Sequence, residues 1–160
     1  MPDSPLAMAF RFQVTLTRTQ GDTGPQTIGE GGFQECSGLD LELDVSDYQE
    51  GGRNNGVVQR AGRAKYTRLV LKRGLFHQEG DLVDDTVWTW IQDVFDGVRP
   101  LRRYDGDVTV LGAEQAVVAH WRFTRGLPAK VVGPQLNART GEVAMEELHI
   151  AHEGLRMVSS

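Results

Sequence analysis

The sequence has little cysteine, no basic leader and no long apolar run. Its 160 residues include one cysteine, Cys36, so a disulfide within the chain is excluded. Residues 1–9 carry Asp3 where a signal peptide would have a basic patch, and their apolar stretch is too short for export. No uncharged apolar run approaches the ~20 residues that cross a bilayer. We therefore expect a soluble chain, without a signal peptide or membrane insertion, that folds on its core alone in a cytoplasm.

Length and composition predict one domain that is rich in β-structure. Hydrophobic residues make up 39% of the chain and charged residues 24%, as in ordinary folded proteins. The 19 glycines make up about 12% of the 160 residues, against an average of about 7%, which indicates many tight turns. We expect a single domain over residues 1–160, with a flexible N-terminus at 1–8 and a C-terminal tail at 156–160.

Charge reverses sign in the middle of the sequence. Residues 37–52 contain five acids and no base, namely Asp40, Glu42, Asp44, Asp47 and Glu50. Residues 53–73 contain seven bases and no acid, namely Arg53, Arg60, Arg63, Lys65, Arg68, Lys72 and Arg73. The two blocks are either separate solvated faces or complementary surfaces through which one copy meets the next. Nucleic-acid binding by the basic block is a third interpretation, against which the net charge of -5 argues.

Alternation of apolar and polar residues predicts most of the secondary structure. Strands are predicted at 10–16, 33–36, 39–46, 66–73, 107–111, 117–125, 130–132 and 143–155, the last with some helical features. One helix is predicted at 82–95, where apolar residues recur at helical spacing, among them Val94 and Phe95. Loops or turns are predicted at 19–32, at Asp105-Gly106 and at 50–65, the last as a long loop or an extended hairpin. The fold class is therefore mainly β, a β-sandwich or small barrel with one packed helix.

The strand at 39–46 has one acidic face. Asp40, Glu42 and Asp44 alternate with the apolar residues of this strand and share a side of it. Carboxylates at this spacing are tolerated only where solvent or a cationic partner faces them. We expect the opposite, apolar face to be packed.

Nothing in the sequence predicts catalysis, a metal or a cofactor. His149 and His152 are three residues apart, which on a strand sends them to opposite faces and breaks a metal site. Cys36 lacks the pattern of a nucleophile elbow and is expected to be a small core residue. The glycines match neither a dinucleotide-binding motif nor a phosphate loop, and the tryptophans are expected in the core or an interface. We therefore expect no enzyme activity.

Several motifs, in order, resemble a known family. They are Gly32-Phe33-Gln34-Glu35-Cys36-Ser37-Gly38-Leu39, Tyr48-Gln49-Glu50-Gly51-Gly52, Leu71-Lys72-Arg73-Gly74, Gly133-Pro134 with Leu136-Asn137-Ala138, and the stretch from Glu147 to Leu155. From about residue 10 to residue 155, the chain resembles the tail tube proteins of contractile phage tails and of extracellular contractile injection systems.

The resemblance implies a structural protein with a barrel-like fold shared with the type VI secretion tube protein. Such subunits form hexameric rings that stack into a hollow tube, which sheath contraction drives into a target cell. Implied partners are the sheath, baseplate and tail-terminator proteins, with cargo in the lumen and no recognition of nucleic-acid sequence. Implied locations are the bacterial cytoplasm during assembly, then a phage tail or a released particle.

The family also suggests where the copies meet. Its loop after Glu-Gly-Gly reaches neighbouring subunits, which corresponds here to Glu50, Gly51 and Gly52 and the stretch to Lys65. Our candidates for assembly are Asp40, Glu42, Asp44, Glu50, Gly51, Gly52, Arg53, Arg60, Arg63 and Lys65. The family often has Leu-Pro-Gly where this chain has Arg60-Ala61-Gly62. A baseplate homologue that starts the tube therefore stays an alternative, as does, from another class, a small barrel that binds a ligand or is an enzyme.

Overall fold

Antiparallel strands dominate the computed structural model of the chain, which describes residues 11–19, 33–48, 51, 56–75 and 85–159. The strands are β1 (Phe12–Arg18), β2 (Glu35–Ser37), β3 (Leu41–Tyr48), β4 (Val58–Tyr66), β5 (Leu69–Gly74), β6 (Tyr104–Leu111), β7 (Val117–Val132), β8 (Met145–Ala151) and β9 (Gly154–Met157). Helix α1 spans Thr86–Phe95, and a short 3-10 turn spans Ala113–Gln115. Within these residues, no helix is long and apolar enough to span a membrane.

Seven of the described strands form one curved sheet. Its order is β1-β6-β7-β8-β5-β2, and β9 also pairs with β7. Strand β7 connects the two halves of the sheet, because its first part pairs with β6 and β9 and its last part with β8. Strands β3 and β4 form a separate two-stranded sheet.

The core lies on the inner face of the curved sheet, under α1. Its fully buried members include Leu16, Leu69, Leu71, Phe123, Leu148 and Ile150. Helix α1 adds Val87 and Trp90, and the Trp90 ring meets Tyr104 edge to face at 4.9 Å. The Nε1 of Trp90 also donates to the carbonyl oxygen of Arg102 at 2.9 Å. The helix is thereby fixed against the sheet by its apolar stripe, as its sequence period predicts.

Two predicted interruptions are wrong, because the strands continue through them. Asp105-Gly106 lies inside β6 rather than in a turn. A Cβ on Gly106 would lie 2.1 Å from ring carbons of Phe123, so the glycine makes room for that ring. Strand β7 runs through Pro128 and joins the two segments predicted at 117–125 and 130–132. The register shifts between Pro128 and Lys130, an irregularity that accommodates a residue without an N–H donor.

The other predicted elements differ from the observed ones mainly in where they begin and end. The segment 143–155 forms strands β8 and β9, which confirms the strand interpretation. Strand β9 runs to Met157, so the tail predicted from residue 156 begins inside a strand. Phe95, expected to face the core, is 79% exposed at the end of α1. The predicted N-terminus at 1–8, the loop at 20–32 and the helix start at 82–84 lie outside the described residues.

Candidate assembly surface

The described part of the segment predicted at 50–65 as a long loop or an extended hairpin forms strand β4, which pairs with β3 rather than within the segment. Leu41 pairs with Tyr66, Glu42 with Lys65 and Ser46 with Arg60, and the register shifts between Leu43 and Val45. This β3–β4 hairpin contains most of the predicted assembly candidates that the structure describes. Asp40 directly precedes β3, and Gly51 is an exposed turn residue. Glu50, Gly52 and Arg53 lie outside the described residues.

The apolar face of β3 is uncovered, which corrects the expectation that it is packed. Leu41, Leu43 and Val45 are 66%, 48% and 54% exposed, and Tyr66, opposite Leu41, is 39% exposed. The alternating pattern is present, but no described residue of the curved sheet buries this face. Contiguous exposed apolar surface on a soluble chain is typical of an interaction site.

The opposite face of the hairpin brings acids and bases together within one chain. Lys65 Nζ lies 2.7 Å from Asp44 Oδ1, and this hydrogen bond raises the pKa of Lys65. The Arg60 guanidinium lies 4.0 Å from the centre of the Tyr48 ring, a cation–π contact. The acidic and basic blocks are thus neighbouring strands of one hairpin, and part of their complementarity is satisfied in the subunit itself.

Three of the predicted charged residues are available to another molecule. Asp40, Glu42 and Arg63 are exposed and form no ion pair with any residue that the structure describes. Glu42 and Arg63 lie near the Lys65–Asp44 pair on the same two strands, and Asp40 directly precedes β3. These three side chains can therefore contact another copy without first breaking an ion pair seen here.

The last members of the basic block belong to the body of the protein. Lys72 bridges Glu35 at 3.4 Å and Glu147 at 3.2 Å. The adjacent Arg73 is buried, and its Nε contacts Glu146 Oε1. Arg73 shares the inward face of β5 with the buried leucines of that strand, so it is not part of a basic surface. The side chain of Glu146 is 2% exposed and also accepts a hydrogen bond from Trp88 Nε1 at 2.9 Å.

Two glycines determine the shape of the hairpin, and sequence reasoning missed their role. Gly38 has φ +88°, and a Cβ there would lie 2.0 Å from the carbonyl oxygen of Arg68. The segments entering and leaving the hairpin therefore cross in close contact. Gly62 lies at the register shift, where a Cβ would lie 2.8 Å from the backbone oxygen of Asp44. A glycine next to a strand end or a bulge is the only sequence signal for these contacts. The residues that each glycine contacts, Arg68 and Asp44, are distant in sequence.

The other residues considered for chemistry have structural partners. Cys36 packs against the core, and burial raises the pKa of its thiol to about 11, which disfavours the reactive thiolate. His149 Nε2 lies 3.1 Å from Glu147 Oε2, and His152 Nε2 lies 3.1 Å from the carbonyl oxygen of Thr67. Within the described ranges, no three His, Cys, Asp or Glu residues are grouped to hold a metal ion.

An ionic cluster on the sheet is also internally satisfied. Asp107 Oδ1 lies 2.6 Å from His120 Nε2 and 2.9 Å from Arg122 Nε. Partial burial favours the neutral carboxyl, but the hydrogen bonds and charges of Arg122 and His120 outweigh it and lower the pKa of Asp107. The cluster therefore links β6 to β7 as an ion-paired carboxylate.

Solved structures with the same fold come from contractile injection systems. A chain in the cryo-EM structure of the anti-feeding prophage baseplate has a TM-score of 0.79 at 24% identity, with 97% of each chain covered. A chain in the extended PVC sheath-tube complex has a TM-score of 0.75 at 19% identity, with 99% of this chain and 95% of that chain covered. A type six secretion system protein has a TM-score of 0.57 at 10% identity, covering 93% and 83%. These likenesses show the fold and confirm the mainly β prediction.

Sequence comparison extends the likeness from fold to family. No curated protein matches the chain. The profile of the T4-like virus tail tube protein gp19 family matches residues 8–156, nearly the whole sequence. The resemblance inferred from the motifs is thereby confirmed: the chain belongs to the T4-like virus tail tube protein family.

Proposed function

We propose that this chain is a structural subunit of the inner tube of a contractile tail or injection system. It assembles into hexameric rings, the rings stack into a hollow tube, and sheath contraction propels the tube. Membership of the tail tube family supports the structural role. The protein acts by assembly rather than by catalysis, so its functional site is the surface through which copies meet.

The observation that carries this proposal is the uncovered apolar face of the β3–β4 hairpin. Leu41, Leu43 and Val45 alternate along β3 as on a packed strand, yet each is about half or more exposed. Burying such side chains against another copy releases the water that they order and stabilises the assembly. Asp40 and Glu42 lie on the opposite face, where they offer charged contacts to another copy, as does the exposed Arg63.

The assembly surface extends along the hairpin and its turn. It comprises the ten candidates Asp40, Glu42, Asp44, Glu50, Gly51, Gly52, Arg53, Arg60, Arg63 and Lys65. Backbone pairing joins the two strands, and Asp44 and Lys65 form an exposed ion pair across them that adds little stability. The exposed members of the set make the contacts with the neighbouring subunit.

Partners follow from where the similar chains are found. Their structures are an injection-system baseplate, a tube-terminating cap and a sheath-tube complex. We infer that this subunit meets a sheath protein, a baseplate and a terminator, and that cargo occupies the lumen. Assembly takes place in a bacterial cytoplasm, before the particle is released or the phage is completed.

Electron microscopy of the purified protein tests the proposal. The expected result is six-fold rings at moderate concentration and stacked tubes at high concentration, or when sheath and baseplate proteins are added. Sedimentation over a dilution series then gives the concentration at which tubes disappear. A protein that stays monomeric under all these conditions would contradict the proposal and favour a ligand-binding barrel.

A baseplate subunit that starts the tube is the second candidate. It is favoured by the likeness to the anti-feeding prophage baseplate chain, at 24% identity against 19% for the sheath-tube chain. Such a subunit forms single rings that bind tube protein on one side and do not extend by themselves. Mixing the purified rings with the bulk tube protein of the same particle distinguishes the two roles.

A further inference from the structure

The β3–β4 hairpin is connected to the body of the protein through a narrow root. Its strands pair with each other and with no other described strand. We call residues 38–40 and 66–68 the hairpin root, because the chain enters and leaves the hairpin there. If the hairpin docks on another copy, its angle to the body must match that copy, and the root sets this angle.

His152 attaches this root to the body. It follows β8, and its Nε2 lies 3.1 Å from the carbonyl oxygen of Thr67. Its ring is tilted against the Tyr66 ring at 5.4 Å and the Phe123 ring at 5.8 Å, measured between centroids. Tyr66 ends β4, whereas Phe123 is a fully buried core residue. One histidine therefore connects the outgoing segment of the hairpin to the core.

The contact with Thr67 places a hydrogen on Nε2, a condition that both the Nε2–H tautomer of the neutral ring and the charged ring meet. A carbonyl oxygen accepts only from an N–H group, so Nε2 carries the hydrogen that is donated to Thr67. In the neutral ring Nδ1 carries only its lone pair, and it is buried without a hydrogen-bond partner among the described residues. A proton on Nδ1 would place a positive charge where no carboxylate is in contact with the ring.

The surroundings of His152 favour the uncharged ring. Burial lowers its pKa below the ordinary 6.5, and the nearby backbone of Thr67 and Gly154 opposes this effect only in part. Tyr66 is the titratable side chain in contact with the ring from β4, and β7 contributes the uncharged Phe123. The adjacent Glu153 is paired with Arg125 and lies 3.9 Å from Arg103.

We propose that neutral His152 holds the hairpin root in the orientation needed for assembly, and that protonation of His152 releases the root, so that tubes dissociate in acid. This inference rests on the proposed function, since it concerns the same hairpin. Because the histidine is less basic in the closed root than in an open one, the closed state is fully favoured above about pH 6.5. It loses stability as the pH falls below that value toward the lowered pKa.

The root itself is measured first, in unassembled full-length protein. Hydrogen exchange of peptides covering residues 58–69 is followed from about pH 7.5 to about pH 4.5 and corrected for the intrinsic pH dependence of exchange. Wild-type protein is expected to lose protection there on acidification, while β7 and β8 stay protected. His152→Gln places an amide nitrogen near the position of Nε2 and cannot be protonated, so its root should stay protected. His149→Gln, which changes the imidazole on β8 that contacts Glu147, should behave as wild type.

Tube assembly is measured next, by sedimentation and electron microscopy over the same pH range. Wild-type and His149→Gln tubes are expected to dissolve with a midpoint below 6.5. His152→Gln tubes should persist at least about one pH unit lower, which corresponds to a tenfold higher ratio of protonated to neutral imidazole in the wild type. Far-UV circular dichroism checks that the separate subunits stay folded throughout.

The outcomes separate this inference from the proposed function. If no tubes form at neutral pH, the proposed function fails, but the exchange experiment still decides the role of His152. Equal acid sensitivity of wild-type and His152→Gln protein would overturn the inference. So would a wild-type subunit that unfolds globally at the pH where its tubes dissolve, or a folded His152→Gln protein with a closed root that makes no tubes at pH 7.5.

Discussion

Replacing Leu41 and Leu43 by serine tests whether the apolar face of the β3–β4 hairpin is buried in the assembly. These side chains are 66% and 48% exposed in the subunit. Burying a leucine completely contributes about 1.5–3 kcal/mol, so burying the exposed part of both contributes about 1.7–3.4 kcal/mol per contact. Since about 1.4 kcal/mol is a factor of ten, the double variant should weaken each contact by about two orders of magnitude.

The assay compares tube formation with the stability of the isolated subunit. Sedimentation across a dilution series should show that L41S/L43S needs a far higher concentration to form tubes. Urea unfolding should change by no more than about 0.5 kcal/mol, because exposed side chains contribute little to the subunit fold. Phe95→Ser removes an apolar side chain outside the hairpin that is more exposed than either leucine, and it should leave both measurements unchanged. Tubes that form at wild-type concentrations, or a subunit destabilised by several kcal/mol, would refute the reasoning.

Three further variants test the core and the charged face. Glu146→Ala should destabilise the subunit by about 3–5 kcal/mol in urea unfolding, because it removes one partner of a buried ion pair. Gly106→Ala should cost at least about 1–3 kcal/mol in the same assay, since its Cβ would overlap the ring of Phe123. Reversing Arg60 and Arg63 to glutamate should leave the subunit folded and lower the sedimented tube fraction by about tenfold or more, through repulsion between like charges.

Each of these substitutions has a matched control. Glu147→Ala removes the next carboxylate on β8, which is solvent-accessible, and should change urea unfolding far less than Glu146→Ala. Gly51→Ala adds a methyl group at an exposed turn where nothing lies within 4 Å, and should be tolerated. Lysine in place of Arg60 and Arg63 keeps the charge and should preserve assembly. Similar effects of a substitution and its control would argue against the corresponding contact.

Local patterns in the sequence predicted the strands well and their partners poorly. The period-2 pattern located β1, β3 and β8 because alternation depends only on neighbouring residues. The turn signal at Asp105-Gly106 failed because the glycine is needed for a ring on another strand. The basic block suggested a surface, but Arg73 lies on the buried side of β5 with an acid 73 residues away. Contacts of this kind depend on tertiary packing, which no local pattern encodes.

The candidate site shows the same division between local and distant information. Alternation on β3 predicted that its apolar face is packed, whereas Leu41, Leu43 and Val45 are exposed in the subunit. It could not indicate whether the same chain or another copy covers them, because the pattern is identical in both cases. The root contact of His152 with Thr67 spans 85 residues and left no signal that sequence reasoning could use.

Salt dependence distinguishes the contributions of the two hairpin faces. If the acidic and basic blocks attracted each other only between copies, tubes would dissociate as salt shortened the range of those charges. The structure instead pairs Lys65 with Asp44 inside one hairpin and leaves an apolar face uncovered. We therefore expect tubes to survive about 1 M sodium chloride in sedimentation assays, since screening does not weaken apolar burial. Dissolution at moderate salt would show that charge between copies dominates, and the apolar face would then have to be covered by something other than a second subunit.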